Sequence, residues 1–330
     1  ISKIMFLTTL IMGTLMTLCS YSWMGTWMGL EINLLSIIPL MTKKNNKMES
    51  ESAMKYFITQ AMASTIFLMT IIVVLPLDSQ MSKIQSLVSN SAILTKMGAA
   101  PFHFWFPEVM EGLNWMNATI MLTWQKIAPM TILMNTNKST MFMLIIMLAA
   151  MMISGIMGIN QTSMKKILAY SSINHTGWMI GAMMTNQTTW IIYLLIYTMM
   201  TANITFMLKK LNMFSIVQMN NSMNNNKLIK LTFSMNFLSM GGIPPFVGFF
   251  PKWIIINNLI QTEMILTTIV MIITTLMTIF FYIRITMMTM IMSQTETTIK
   301  MNNKMKSNII NINLITLSSL LLTPLMTTFI

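Results

Sequence analysis

The chain has 330 residues, of which 55% are hydrophobic and only 8% are charged. Soluble domains carry about 25% charged residues, so this composition excludes a soluble globular protein and indicates an integral membrane protein. The formal net charge of +12 does not indicate nucleic-acid binding, because the lysines lie in short clusters between apolar runs, as in the loops that orient membrane helices. The single cysteine, Cys19, excludes an intrachain disulfide and a metal or iron–sulfur centre held by cysteines.

Methionine is unusually frequent, at 45 of 330 residues, and it is spread over all the apolar runs. An AT-rich genome that reads an additional codon as methionine, as in invertebrate mitochondria, would give this bias. A methionine-rich metal transporter would instead cluster methionine in short motifs. We therefore interpret methionine here as an apolar packing residue.

Apolar runs of about 20 residues, the length that crosses the hydrocarbon core, recur along the whole chain. The first run follows Lys3 and lacks a small-residue cleavage site, so we interpret it as a span and not as a signal peptide. We predict an all-α, polytopic transmembrane protein that forms a single domain over residues 1–330. The eleven predicted spans are residues 4–19, 23–41, 54–75, 84–100, 113–134, 141–159, 167–184, 190–208, 230–257, 264–290 and 309–328.

The distribution of lysine between the loops supports this count. The N-terminus and alternate loops carry fourteen lysines on one side of the predicted membrane, whereas the other side has only Lys83 and Lys138. One span missed in mid-chain would mix the two sets. We predict that the N-terminus lies on the lysine-rich, inner side and the C-terminus on the opposite side.

Two of the predicted spans are broken by glycine and proline. The fourth ends in GAAP at residues 98–101, and the ninth contains GGIPP at residues 241–245. Proline removes a backbone donor, and a broken helix at membrane depth persists only where protein or a wet cavity surrounds it. Paired interrupted helices mark ion paths in transporters, and each of these two breaks has a lysine beside it.

Few ionisable residues are left inside the apolar spans. Three basic residues lie within or against them, Lys96, Lys126 and Lys252. Glu31 is the only acidic residue in mid-helix, and Arg284 lies near the end of the tenth span, where it can extend to the membrane interface. A lysine within a span costs about 2.5 to 3.5 kcal/mol on insertion scales, so each one marks a functional candidate.

Glu31 and Lys96 form the most informative pair. Burial destabilises a charged lysine and a nearby carboxylate stabilises it, so a pair whose separation changes would switch the lysine between holding and releasing a proton. The alternative is a static ion pair that holds two helices in register.

The remaining candidates have simpler alternatives. Lys126 and Lys252 could each extend to a membrane interface as anchors. His103 and His175 could relay protons, but a helix-end histidine bonded to backbone is as common. No metal site is predicted from two distant histidines without a suitably spaced carboxylate. The sequence has no glycine-rich loop for ATP or a dinucleotide, and a bis-histidine haem would require the two histidines to meet across the bilayer.

Five motifs closely resemble the antiporter-like subunit 2 family of mitochondrial NADH:ubiquinone oxidoreductase, complex I. The resemblance runs through nearly the whole chain, and the composition is insect-like. In chain order, the motifs are WMGLEINLLSIIPL at 27–40, KMGAAPFHFWFPE at 96–108, WQKIAP at 124–129, YSSINHTGW at 170–178 and GGIPPFVGFFPKW at 241–253.

The resemblance implies an antiporter-like core subunit of the membrane arm. Such a subunit takes part in proton translocation from matrix to intermembrane space, coupled to electron transfer from NADH to ubiquinone. Animal members lack the first helices of their bacterial relatives, which agrees with the predicted count. The family's proton path is carried by the residues that match Glu31, Lys96, Lys126 and Lys252, with His103 and His175 as candidate relays.

The resemblance also implies cofactors, partners and a location. This chain would be a translocase subunit without a redox centre, and NADH, FMN, iron–sulfur clusters and ubiquinone would be bound by other subunits. Expected partners are other complex I subunits, especially the antiporter-like subunit 4, subunit 4L, the lateral helix of subunit 5 and accessory subunits, together with lipids such as cardiolipin, and no nucleic acid. The expected location is the mitochondrial inner membrane, with the N-terminus in the matrix and the C-terminus in the intermembrane space.

Two other functions stay open at the level of the sequence. A stand-alone cation/proton antiporter would carry the same glutamate and lysine helices. A passive scaffold between pumping subunits would need none of the four ionisable residues for pumping.

Overall fold

A computed structural model describes residues 2–42, 46–74, 81–136, 139–223, 227–244 and 246–291 of the chain. Across these ranges the regular secondary structure is helical, and no β-sheet is formed. The all-α prediction is therefore confirmed for this part of the chain. The predicted eleventh span, residues 309–328, lies outside the described residues.

The described helices follow the predicted spans closely, with two short additional helices, α5 and α11. In chain order they are α1 (Ser2–Cys19), α2 (Trp23–Met41), α3 (Lys47–Val74), α4 (Met81–Met97), α5 (Trp105–Gly112), α6 (Trp115–Leu122), a 3-10 turn (Trp124–Lys126), α7 (Ile127–Thr136), α8 (Thr140–Ile159), α9 (Met164–Thr185), α10 (Gln187–Lys210), α11 (Ile216–Met223), α12 (Lys227–Gly241), α13 (Phe249–Gln261) and α14 (Ile265–Ile291).

Five of the described helices are long and apolar enough to cross a membrane by themselves. They contain the segments Trp23–Met41, Lys47–Ile72, Thr140–Ile159, Gln187–Lys210 and Ile265–Met288. The fifth and ninth predicted spans are each divided between two shorter helices. The helices of the first, fourth and seventh predicted spans, α1, α4 and α9, are continuous. The structure thus supports a polytopic membrane protein, and the full count of eleven spans stays a prediction.

Both predicted breaks are present, and a third interruption was not predicted. The fifth span, residues 113–134, was treated as continuous, but it consists of α6, the 3-10 turn and α7. The physical reason is Pro129, which has no N–H to donate and whose ring clashes with the carbonyl four residues earlier, that of Gln125. The turn at Trp124–Lys126 places Lys126 where the helix is interrupted.

Two compact units make up the described chain, divided between Ala150 and Met151. The first unit contains Glu31, Lys96 and Lys126 and the second contains Lys252. The prediction of a single domain over residues 1–330 stays a prediction.

Hydroxyl side chains are satisfied within their own helices, which permits many threonines and serines in apolar segments. Thr201 Oγ1 donates to the carbonyl of Tyr197 at 2.9 Å, and Ser154 Oγ donates to that of Met151 at 3.0 Å. Lipid cannot satisfy these groups, so the local bonds remove most of the cost of placing them in a membrane. Apolar side chains such as Leu266 and Met141 are more than 70% exposed, as expected on a surface that faces lipid.

Candidate functional site

Glu31 and Lys96 meet inside the first unit. Glu31 lies in the middle of α2 and Lys96 in the last turn of α4, and their Oε1 and Nζ atoms are 4.0 Å apart. The Lys96 side chain is 4% exposed and that of Glu31 is 25% exposed. At this distance the groups attract each other without a hydrogen bond, and Glu31 Oε1 has no hydrogen-bond partner among the described residues. The structure therefore brings together the two charges that the sequence analysis paired.

The chain beyond Lys96 turns sharply out of α4. Gly98 has a φ of 69°, which favours glycine. Its N–H donates to the Thr95 carbonyl and the N–H of Ala99 donates to that of Leu94, both at 3.1 Å. This pair of bonds is a Schellman cap, which satisfies two carbonyls at the end of a helix. The cap holds Lys96 at a fixed helix end.

His103 lies within this break and is buried. Its Nδ1 is 3.3 Å from the carbonyl oxygen of Pro101, and its ring stacks on Phe104 with centroids 4.5 Å apart. This contact is of the backbone-bonded kind that the sequence analysis kept as an alternative. A relay function of His103 stays a prediction.

Lys126 is buried in the 3-10 turn, with 2% of its surface exposed. Its ammonium lies 6.0 Å from the ring centroid of Phe106, within the range of a cation–π interaction. The same ring packs closely on Gly98, where an added Cβ would come within 3.2 Å of the ring. Burial of Lys126 argues against its extension to an interface. Phe106 contacts both the Lys126 ammonium and the break after Lys96.

Polar side chains that sequence reasoning missed connect these elements. Gln125 Nε2 donates to Asn33 Oδ1 at 2.8 Å, and the Tyr56 hydroxyl donates to Gln125 Oε1 at 3.4 Å. One turn along α3, Gln60 Nε2 donates to the carbonyl of Lys96 at 3.2 Å. The available signal was a polar amide inside an apolar span, next to Lys126 in the WQKIAP motif.

Lys252 occupies the second break, in the second unit. It lies in the first turn of α13 and is 5% exposed. Its Nζ donates to the carbonyl of Gly241, the last residue of α12, at 2.7 Å, and lies 6.0 Å from the Trp178 ring. A cation at a helix C-terminus is stabilised by the unpaired carbonyls there. Lys252 is therefore enclosed by protein, which argues against its extension to a membrane interface.

The second break repeats the backbone pattern of the first. Gly242 has a φ of 76° and its N–H donates to the Ser239 carbonyl at 3.0 Å, while the N–H of Ile243 reaches that of Leu238 at 3.5 Å. In the described part of each unit, a helix is thus followed by a capped, left-handed glycine beside a lysine.

His175 lies on α9 of the second unit and is buried. Its Nδ1 is 2.8 Å from the hydroxyl of Tyr193, and its ring centroid is 4.9 Å from that of Tyr197. Trp178, which contacts Lys252, lies one turn further along the same helix. Tyr193 and Tyr197 were not identified from the sequence, because tyrosine in an apolar helix usually only packs.

Some basic residues assigned to loops or interfaces are bound inside the protein. Arg284 donates to the carbonyls of Ile159 and Gln161, so it caps the end of α8 and does not simply extend to the interface. Lys165 is 9% exposed, with its ammonium 5.1 Å from the Phe214 ring centroid. The charge of Lys165 therefore also makes a contact inside the protein, in addition to any effect on the orientation of the chain in the membrane.

Comparison with known proteins identifies the family. Residues 20–278 match the family model described as NADH:quinone oxidoreductase/Mrp antiporter, transmembrane. A protein from Anopheles gambiae named NADH-ubiquinone oxidoreductase chain 2 is 43% identical over 96% of this chain and 94% of its own length. The relative of the same name from Locusta migratoria is 42% identical over 91% of this chain and 90% of its own length. This chain belongs to the NADH-ubiquinone oxidoreductase chain 2 family.

Solved structures show the fold of the chain 2 family. A chain of respiratory complex I from Thermus thermophilus with bound aureothin superposes with a TM-score of 0.87 at 20% identity, covering 97% of this chain and 78% of that one. A chain of the Mrp complex from Dietzia sp. gives a TM-score of 0.79 at 14% identity, covering 97% and 75%. At these identities the likeness concerns the fold, which is that of an antiporter-like membrane subunit.

Proposed function

We propose that this chain is a core membrane-arm subunit of respiratory complex I. It takes part in proton translocation coupled to electron transfer from NADH to ubiquinone. The observation that carries this proposal is the Glu31–Lys96 pair, held 4.0 Å apart without a hydrogen bond and with Lys96 buried, in a chain that is 43% identical to a chain 2 relative over 94% of that relative's length.

The long distance between Glu31 and Lys96 suits a protonation switch better than a static ion pair that holds two helices in register. A hydrogen-bonded ion pair would be shorter, with N to O distances of about 2.7–2.9 Å. A carboxylate at 4.0 Å stabilises the ammonium, but a small movement or a change of its charge alters that stabilisation strongly in a low dielectric. In our proposal, separating or neutralising Glu31 makes Lys96 release its proton.

The further steps use the other buried basic groups. Lys126 accepts the proton through water within the first unit, and Lys252 is the terminal carrier in the second. His103 and His175 are candidate relays, supported by their burial and by the 2.8 Å contact between His175 and the Tyr193 hydroxyl. All six assignments are proposals that mutagenesis can test.

The family and the charge distribution support a proposal for the location and surroundings of the chain. The chain is an integral protein of the mitochondrial inner membrane and works with other complex I subunits. We further propose that its N-terminus lies in the matrix and its C-terminus in the intermembrane space. In the same proposal its neighbours are subunit 4, subunit 4L, the lateral helix of subunit 5, accessory subunits and lipids such as cardiolipin. NADH, FMN, iron–sulfur clusters and ubiquinone are bound elsewhere in the complex.

A stand-alone antiporter is less well supported. The similarity to the Mrp complex concerns the fold alone, whereas the relatives of high identity and nearly equal length are chain 2 proteins. In a passive scaffold, the buried lysines would have no function that explains why such energetically unfavourable residues are placed in the membrane.

Substitution of Lys96 tests the proposed function. In the assembled complex, Lys96→Met should lower both proton pumping and NADH:ubiquinone reductase activity at least ~10-fold, since a proton-transfer group contributes about 10²–10⁴-fold. Lys209→Met is the matched control, because Lys209 is an exposed lysine at the end of α10. Normal turnover with normal proton stoichiometry in Lys96→Met would sink the proposal.

A further inference from the structure

A hydrogen-bonded side-chain bridge joins the helix of Glu31 to the turn of Lys126. Asn33 stands two residues after Glu31 on α2 and is 2% exposed. It accepts a hydrogen bond of 2.8 Å from Gln125, the residue before Lys126. The two groups of the candidate proton path are therefore connected through one partly buried hydrogen bond between residues close to them in sequence.

The other end of the Gln125 amide is held by α3. Its oxygen accepts from the hydroxyl of Tyr56, and Gln60, one turn further on the same helix, donates to the carbonyl of Lys96. The Tyr56 ring also packs against Trp105 with centroids 5.8 Å apart. Thus α3 contacts both the turn of Lys126 and the end of α4, and the Gln125 amide is used at both of its ends.

One of the backbone hydrogen bonds of this turn is long, and one carbonyl beside the turn lacks its usual helical donor. The N–H of Lys126 reaches the Thr123 carbonyl at 3.4 Å, which is long for a hydrogen bond. Pro129 cannot donate to the carbonyl of Gln125. The position of Lys126 therefore depends more on side-chain contacts than it would in a continuous helix.

We propose that Gln125 is a positioning residue that fixes the turn carrying Lys126 against the helix carrying Glu31. The inference rests on the proposed function. An amide has no titratable proton near neutral pH, so Gln125 does not carry the transferred proton. It sets the distance over which Lys126 receives the proton from the Glu31–Lys96 pair, and it transmits a shift of α2 to that turn.

A size swap across the bridge tests this role without introducing charge. Gln125→Asn shortens the bridge by one methylene and should lower the protons pumped per electron two- to tenfold, the effect of losing one hydrogen bond of about 0.5–1.5 kcal/mol. Asn33→Gln alone should also lower this ratio, because the bridge is then too long. The double variant Asn33→Gln with Gln125→Asn restores the combined length and should recover at least half of the lost ratio.

Two further variants make every outcome decisive. Thr136→Val removes another buried side-chain bond of the first unit, from Thr136 to Asn90 at 2.7 Å, and should leave the ratio unchanged. Lys126→Met should abolish pumping. Suppose that Lys126→Met abolishes pumping. If Gln125→Asn then keeps the normal ratio of protons pumped per electron, or if the double variant does not recover that ratio, Gln125 is not a positioning residue. If Lys126→Met itself pumps normally, the proposed function is wrong and the inference falls with it.

Discussion

At the scale of single residues, three buried lysines show three environments for an ammonium in an apolar protein. Lys96 has a carboxylate at 4.0 Å, Lys126 lies by an aromatic ring, and Lys252 donates to a helix-terminal carbonyl. Each environment offsets part of the desolvation cost of the charge. The 4.0 Å separation at Lys96 is longer than that of a close ion pair, which suits a group that must change protonation state.

The charge of Lys252 can be separated from its structural contact. Lys252→Arg keeps a donor for the Gly241 carbonyl, but the guanidinium does not deprotonate in proteins. We expect both Lys252→Arg and Lys252→Met to assemble and to lower proton pumping at least ~10-fold, as for loss of a proton-transfer group. Pumping in reconstituted vesicles measures this, and nearly silent variants would show that Lys252 is only structural.

Scarcity explains which site residues were predictable from the sequence. Eight acidic residues and twenty basic ones in the whole chain make a mid-helix charge easy to single out, so Glu31 and Lys96 could be paired before their 4.0 Å contact was known. Asn, Gln and Tyr are common in this chain, and their pairing depends on three-dimensional contacts. Gln125 and Tyr193 could therefore not be identified by elimination.

At the scale of elements, the two broken helices share one construction. Each ends in a left-handed glycine, Gly98 or Gly242, and resumes after a short turn. Glycine and proline made both breaks predictable. The 3-10 turn was missed because its cause, Pro129, lies in the helix after the turn and four residues beyond the carbonyl it leaves unbonded.

A glycine within the second break tests how tightly the break is packed. A Cβ at Gly248 would clash with the carbonyl oxygen of Ser239, so the backbone must move to accept one. Overpacking of this kind costs about 1–3 kcal/mol or more, and we expect Gly248→Ala to lower the thermal stability of the complex and its pumping rate. Calorimetry and pumping assays measure the two effects.

Gly241 provides the matched control in the same span. A Cβ added at Gly241 would have a Tyr282 ring atom as its nearest neighbour, at 3.5 Å, which is an ordinary contact. Alanine is also more favourable than glycine in a helix by about 1 kcal/mol. Gly241→Ala should therefore be neutral or slightly stabilising. Equal losses in the two variants would contradict the assigned role of the close approach at Gly248.

At the scale of the whole molecule, the orientation of the chain in the membrane is predicted from the distribution of lysines between its loops. Fourteen lysines on one predicted side against two on the other follow the positive-inside rule. Burial of Lys165 weakens the assumption that every counted lysine is a free loop charge, but the imbalance does not depend on one residue. Long apolar spans were predictable because lipid tolerates few alternatives, whereas helix–helix contacts required the structure.

The only cysteine allows a direct test of orientation. Cys19 ends α1 and is exposed, and the proposed topology places it on the intermembrane side. A membrane-impermeant maleimide should label it in mitoplasts without permeabilisation. A Thr162→Cys variant, with Cys19 replaced by serine, should be labelled only from the matrix side. The opposite labelling pattern would reverse the topology.

The most direct test of the central claim is a double-mutant cycle on Glu31 and Lys96, measured as the rate of proton pumping by the assembled complex in sealed vesicles. If the pair acts as one switch, Glu31→Gln and Lys96→Met each lower the rate, and the double variant lowers it no further, because residues that act as a unit are non-additive. Wild-type pumping rates in both single variants, or independent losses that multiply in the double variant, would contradict the account.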